Sequence, residues 1–435
     1  MNGSNDVYKT SRFLYIIEAA LEYFIALGVG GVYLAKLTTA VGISDSLTGI
    51  LTSFVSLGCG FQLIAIFIAH KKPVKRWVTV GHIVSQFLFV ALYFVPLFEG
   101  VDTGIKIVLF FILMLGAQII HNAINSPKTG WYMDLIDYDK RGSFTATKEI
   151  VSLISGIVFS YFMGYMIDSF EMAGNMQGAF ITGGITLFVI AVLHTLTLIF
   201  SKEKPAPEMQ QKINVKVVFS GLIKDKSLYK VMVIAILWAV ANYATTSFMG
   251  TYQTKELGFT TTFASVVVIV SSIARALVSR PMGKFADKKS FASALVICFS
   301  IEFVGFAVAS CTTPENGKIL YPIFLCLHAI GMSVINSATI NLIYDYVAPE
   351  RRTVAYAFQQ TVAGVAGFLI VTVLSPLVTL VQNNGNNIFG MTVYAQQLCA
   401  LFSALVCAVA VVYIIFVLKK MKRASAEEVG EEKSE

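Results

Sequence analysis

Apolar residues run along this chain in long blocks separated by short polar connections. A helix that spans a bilayer needs about 20 mostly apolar residues. Twelve blocks meet that length, at 13–36, 46–69, 77–98, 105–130, 149–168, 178–200, 229–252, 262–280, 291–310, 320–343, 354–378 and 392–417. One connection stands apart, 201–228, which is Lys-rich and holds Pro205 and Pro207. It divides the chain into a six-helix bundle over 1–200 and a second over 229–418, joined by a cytoplasmic linker. The polar tail, 419–435, is expected to be disordered. The expected fold class is all-α integral membrane, with twelve transmembrane helices in two pseudo-symmetric halves.

Charge agrees with the pattern. Only 14% of residues are charged, against about a quarter in a soluble domain. A chain of 435 residues with so little charge cannot cover a water-facing surface. The net charge of +7 would admit nucleic acid as a partner, but the basic residues sit between blocks, on alternate connections. Lys71, Lys72, Lys75 and Arg76; Lys140 and Arg141; the lysines of 202–230; Arg280, Lys284, Lys288 and Lys289; and Arg351 and Arg352 all lie on even-numbered connections. The odd-numbered ones hold only Lys36, Lys106, Lys255 and Lys318. This asymmetry reports topology, with both termini cytoplasmic in an inner or plasma membrane, and calls for a lipid bilayer and no nucleic acid. No cleavable signal peptide is read, because the first block is long and carries Glu18 and Glu22. The cysteines fall mostly inside apolar blocks and are read as packing residues.

The two halves share a motif. Asn336-Ser337, Asp345 and Arg352 repeat Asn125-Ser126, Asp134 and Arg141 at one offset of 211 positions (336 minus 125). Ile124, Ala146 and Gly156 find identical partners at the same offset. Parallel repeats of six helices are one of the ways transporters are built.

With these motifs the sequence resembles the major facilitator superfamily. Two connections carry the resemblance: Asp134 to Gly142 with its repeat Asp345 to Thr353, and Arg280-Pro-Met-Gly283-Lys-Phe-Ala-Asp287-Lys-Lys, which is similar to the family's Gly-x-x-x-Asp-(Arg/Lys) loop. The equivalent loop after the second block departs from the pattern, with Lys72 and Arg76 where Gly and Asp are expected. The run Asp137-Tyr-Asp-Lys-Arg141 is similar to that of glycoside-type sugar-cation symporters. The resemblance implies alternating access. An Asp at one helix end and a basic residue on the next connection pair across helix termini, so Asp134, Arg141, Arg280, Asp287, Asp345 and Arg352 are expected to gate. The alternative is that they are solvated topology charges.

Ionisable groups inside a bilayer are costly and point to function. Glu18 and Glu22 share one face of the first block at i, i+4. Glu22 lies about 15 Å in, at a rise of 1.5 Å per residue. Gln118, His121, Asn122, Asn125 and Lys128 form one polar stripe on the fourth block, which cannot face lipid. The family fold implies that the first and fourth helices line one cavity. A pair between Lys128 and Glu18 or Glu22 is therefore expected, coupling a proton or other cation to transport. A lysine at this depth can alternatively snorkel to the surface. Trp238, Asn242, His328, Asn336 and Gln360, with Asn122 and Asn125, suit a polyhydroxylated ligand, since amides bond hydroxyls and an aromatic face stacks on a sugar ring. Asn125 and Asn336 are related by the repeat. The same amides can instead join helices to one another. Arg275 and Glu302 stand as charged groups in the eighth and ninth blocks, while His82, Gln86 and His194 are read as packing or interfacial groups.

No Walker loop, HExxH or other metal spacing occurs, and Gly28-Val-Gly30-Gly31 reads as a small-residue helix contact. No enzyme, cofactor or metal is expected, and no oligomeric state follows. The expected function is secondary active transport of a small polar organic solute, sugar or glycoside first. Efflux of an amphipathic drug or metabolite is the alternative within transport. A non-transporting membrane sensor or lipid handler is the alternative of another class.

Overall fold

The computed structural model describes residues 7–62, 73–137, 140–205, 225–347 and 351–421. Most of the linker and of the tail, and part of the second block, lie outside the described residues. The helices are α1 (Lys9–Gly28), α2 (Gly31–Val41), α3 (Asp45–Cys59), α4 (Lys75–Ala91), α5 (Thr103–Met133), α6 (Arg141–Met172) and α7 (Met176–Phe200). They continue as α8 (Lys226–Thr251), α9 (Thr261–Lys288), α10 (Phe291–Ser310), α11 (Gly317–Tyr346), α12 (Arg352–Asn383) and α13 (Ala395–Phe416). Among the described residues nine helices are long and apolar enough to span a membrane, and α1 with α2 makes a tenth, bent span. With α3 and α4 the all-α fold has its twelve membrane helices.

Polar side chains at the block edges start these helices. Ser44 accepts from Leu47 N–H, Asp102 from Gly104, Asn175 from Gly178 and Ser290 from Ser293. Each satisfies an amide that has no partner within its helix. The first block departs from the expected continuous helix: it breaks between Gly28 and Gly31 and bends by 42°. Gly31 has φ +51, a left-handed conformation that a side chain would strain. The third block ends its α-helix at Ala91, and a 3₁₀ turn at Val95–Leu97 carries Pro96, which lacks the N–H that a continued helix needs. The last connection holds one small hairpin, β1 (Asn387–Ile388) and β2 (Met391–Thr392), paired antiparallel.

The chain forms two compact units, Met1–Gln210 with Ser247–Val266, and Gln211–Thr246 with Val267–Glu435. In the first, α1 packs on α6 and α7, and α5 packs on α3 and α4. Within the same unit Phe248 lies on Gly49, where a Cβ would overlap its ring. The Asp168 carboxylate accepts from the amides of Thr261 at 2.8 Å and Thr262 at 2.7 Å. Glu203, at the start of the linker, accepts from the amides of Val74 and Lys75 and so caps α4. In the second unit α10 packs between α11 and α13, burying Leu295, Cys298, Phe299 and Phe306. Ser403 joins α13 to α8 by bonding the Ala241 carbonyl and Thr245 Oγ1, both at 2.6 Å.

Candidate functional site

The i, i+4 spacing on α1 sets Glu18 and Glu22 one turn apart, facing α5. Lys128 reaches them from α5. Its Nζ lies 2.7 Å from Glu18 Oε1 and also donates to Glu22 Oε2. Glu18 is fully buried and Lys128 is 2% exposed, whereas Glu22 keeps 22%. Lys128 is therefore held inside the bundle and does not snorkel.

Three histidines complete the cluster. His194 of α7 places Nε2 at 2.9 Å from Glu18 Oε1. His121 of α5 lies 3.6 Å from Glu22 Oε1. His82 of α4 sits between them, its ring centroid 5.1 Å from that of His194 and 5.9 Å from that of His121. It is fully buried, and neither of its ring nitrogens has a partner among the described residues. His82 and His194 are thus part of this cluster, a correction to their reading as packing groups. No signal along α4 or α7 marks a lone buried histidine as facing a carboxylate on another helix.

Glu22 and His121 open onto a cavity of about 180 Å³ in the same unit. Thr52, Gln86, Gln118 and Asn122 supply its other polar lining, and Ile25, Val29, Phe89 and Met114 much of its apolar wall. Gln86, read as packing, lines this cavity. Drug-sized ligand pockets run at about 300–1,000 Å³. This one therefore fits a small solute, or one end of a larger one. Asn122 is held in place: its amide donates to the Gln118 carbonyl at 2.9 Å, and Cys59 Sγ lies 3.6 Å from its Oδ1. Gly58 makes the room, since a Cβ there would overlap that amide.

The other expected ligand-binding residues are spread over both units. Asn125 is half-buried on α5 and is not part of the cavity lining. In the second unit Trp238 and His328 are buried and stacked, Asn242 and Gln360 are half-buried, and Asn336 is exposed. Gln359, beside Gln360, is buried with neither amide atom partnered among the described residues. Of the expected gating residues, Asp134 caps the C-terminus of α5, Arg280 is exposed on α9 and Asp345 lies on α11. Arg352 Nε donates to the Val347 carbonyl at 3.1 Å. The side chains of Arg141 and Asp287 lie outside the described residues. Asp137 is exposed, and its hydrogen bond to Lys140 holds its carboxyl below the usual range.

Ligand atoms of Glu22, His82 and His121 lie within 4.8 Å of one another, as do those of Glu18, Glu22 and His194, a spacing that a metal ion would tolerate. Lys128 already sits against both carboxylates and supplies the positive charge a metal would bring. We assign no metal to this cluster.

Comparison with known proteins gives a consistent picture. The family model described as Major Facilitator Superfamily matches residues 16–371. No curated protein matches the sequence. Among solved structures the chain is similar to a mutant form of the nucleoside transporter NupG, at a TM-score of 0.72 and 14% identity, covering 93% of this chain and 99% of that one. It is also similar to a bacterial homolog of the human lysosomal transporter Spinster in an inward-facing and occupied conformation, at 0.63 and 13%, covering 97% and 98%.

Proposed function

The chain belongs to the major facilitator superfamily, and we propose that it is a secondary active transporter of a small polar organic solute, driven by a proton or another cation. It is a multi-pass membrane protein. Sugars and glycosides are the favoured cargo, nucleosides among them, since a nucleoside is a glycoside and one similar structure is of a nucleoside transporter. Both termini would lie in the cytoplasm, by the Lys and Arg asymmetry, in an inner or plasma membrane.

The observation that carries this reading is the charge inventory of Glu18, Glu22 and Lys128. One lysine faces two carboxylates inside the bundle, so the cluster has room for one further proton or cation. Because Glu22 also borders the cavity, the cation and the solute would act on one carboxylate, and each would alter the affinity for the other. The two halves would then rock around the loaded site. The repeated Asp/Arg connections, Asp134 with Arg141 and Asp345 with Arg352, would hold and release this motion, together with Arg280 and Asp287.

The apolar wall of the cavity keeps a second reading open, efflux of an amphipathic compound. Proteoliposomes loaded with sugars, nucleosides, acids and dyes, with and without proton and sodium gradients, decide between them. Uptake gives gradient-driven accumulation of a polar solute, and efflux gives gradient-driven expulsion of a dye. A protein that moves nothing under any gradient ends the transport reading.

A further inference from the structure

A second buried carboxylate lies in the other unit, outside the cluster described above. Glu302 of α10 has no exposed surface. Its Oε2 lies 2.9 Å from Nδ1 of His328 on α11, while Oε1 has no partner among the described residues. Gly331 makes room for it, since a Cβ there would overlap the carboxyl group. His328 packs against aromatic rings. Its ring stacks with Trp238 at 6.0 Å and 26°, and with Phe324 at 5.8 Å and 27°. With Nδ1 tied to Glu302, Nε2 is the remaining polar atom of a side chain that keeps 9% exposure.

Charge neutrality decides what Nε2 offers. Among the described residues the thiols of Cys298 and Cys407 lie near Glu302, and the rings of Trp238 and Phe306 pack against its partner His328. A net charge is costly in such a core. Two arrangements of the pair are neutral and leave no hydrogen of the carboxyl group without an acceptor. In one, a carboxylate faces an imidazolium, which carries hydrogen on both nitrogens. In the other, a carboxylic acid donates to Nδ1, and the ring's own hydrogen sits on Nε2. In both, Nε2 is a donor. A bare Nε2 requires either a carboxylate beside a neutral ring with Nδ1–H, which buries an anion, or a carboxylic acid whose hydrogen sits on Oε1, where it finds no acceptor among the described residues.

We infer that Glu302 and His328 form a charge-neutral pair that presents Nε2–H beside Trp238 as a hydrogen-bond donor to a hydroxyl or carbonyl oxygen of the transported solute. Glu302 acts through His328 and is a positioning residue. The identity of the acceptor as a solute rests on the transport reading, whereas the hydrogen on Nε2 does not.

Two measurements test this. The first is the ¹⁵N spectrum of histidine-labelled, purified protein, with His328 assigned by its absence in H328Q. A protonated Nε2 is expected in the parent, and a mixture of neutral tautomers in E302L. A bare Nε2 in the parent overturns the proposal. The second is uptake of uridine and of lactose into proteoliposomes. H328L should raise KM for the transported solute by roughly tenfold, with a smaller change in kcat, while H328Q, whose amide still donates, stays near the parent value. An unchanged KM in H328L overturns the recognition role. If neither solute moves, the transport reading loses both, and the nitrogen spectrum still decides the state of the pair.

Discussion

Lys128 Nζ stands 2.7 Å from Glu18 Oε1, joining α5 to α1 across 110 positions of sequence. The pair is dry, with exposures of 2% and 0%. The Lys128 ammonium faces both carboxylates, and Glu18 also has His194 Nε2 at 2.9 Å.

Removing the lysine should therefore cost stability. Lys128→Met leaves Glu18 buried beside a second carboxylate, and breaking a buried pair in this way costs about 3–5 kcal/mol. Thermal unfolding of the detergent-solubilised protein should show a lower transition temperature. The double variant Lys128→Met, Glu18→Gln should recover much of it, because the one carboxylate then left without its lysine, Glu22, is 22% exposed.

Glu22→Gln should separate coupling from translocation. The amide keeps the size of the carboxylate and part of its hydrogen bonding but cannot take up the cation. Accumulation against a gradient should fall to the equilibrium level, while exchange of labelled for unlabelled solute persists. A variant that still concentrates solute as the parent does would rule Glu22 out as the coupling group.

Gly58→Ala tests the cavity. The added methyl overlaps the Asn122 amide, so either the side chain or the α3–α5 packing shifts. Overpacking of this kind costs about 1–3 kcal/mol. Solute affinity should fall with it if Asn122 contacts the solute. Calorimetric binding and thermal unfolding, measured on the same sample, separate the two effects.

Asp168→Ala removes the acceptor shared by the Thr261 and Thr262 amides at the start of α9. Loss of such a cap costs about 1 kcal/mol. Hydrogen exchange at those two amides should speed up several-fold in the alanine variant and much less in Asp168→Asn.

Arg352→Ala tests the proposed gate. The side chain bonds the Val347 carbonyl, so its loss removes a tie between the start of α12 and the end of the preceding described segment. A transport rate reduced by roughly tenfold is expected. Transport at the parent rate would return the repeated Asp/Arg connections to plain topology charges.

Much of this was legible along the chain, for a physical reason. Whether a segment can span a bilayer depends on its own length and polarity, so the helices of both halves follow from the apolar blocks. Helical periodicity is also local: it puts Glu18 and Glu22 on one face of α1, and Gln118, His121, Asn122 and Lys128 on one stripe of α5. The bend in the first span was less visible. Gly30-Gly31 reads equally as a packing contact, and only the backbone conformation of Gly31 makes it a break.

The sequence by itself thus determined the spanning helices and the polar faces of α1 and α5. Tertiary structure alone decided which polar groups meet. His82 shares its face of α4 with Thr79 and Gln86, and His194 its face of α7 with Thr197, but neither pattern says which helix that face meets, and Glu302 is a single carboxylate in an apolar block. Their partners depend on how far each helix is rotated and how deep it sits against its neighbours. Those quantities come from side-chain packing summed over whole helix surfaces, as where Gly331 leaves space for the Glu302 carboxyl and the rings of Trp238 and Phe324 hold His328 against it.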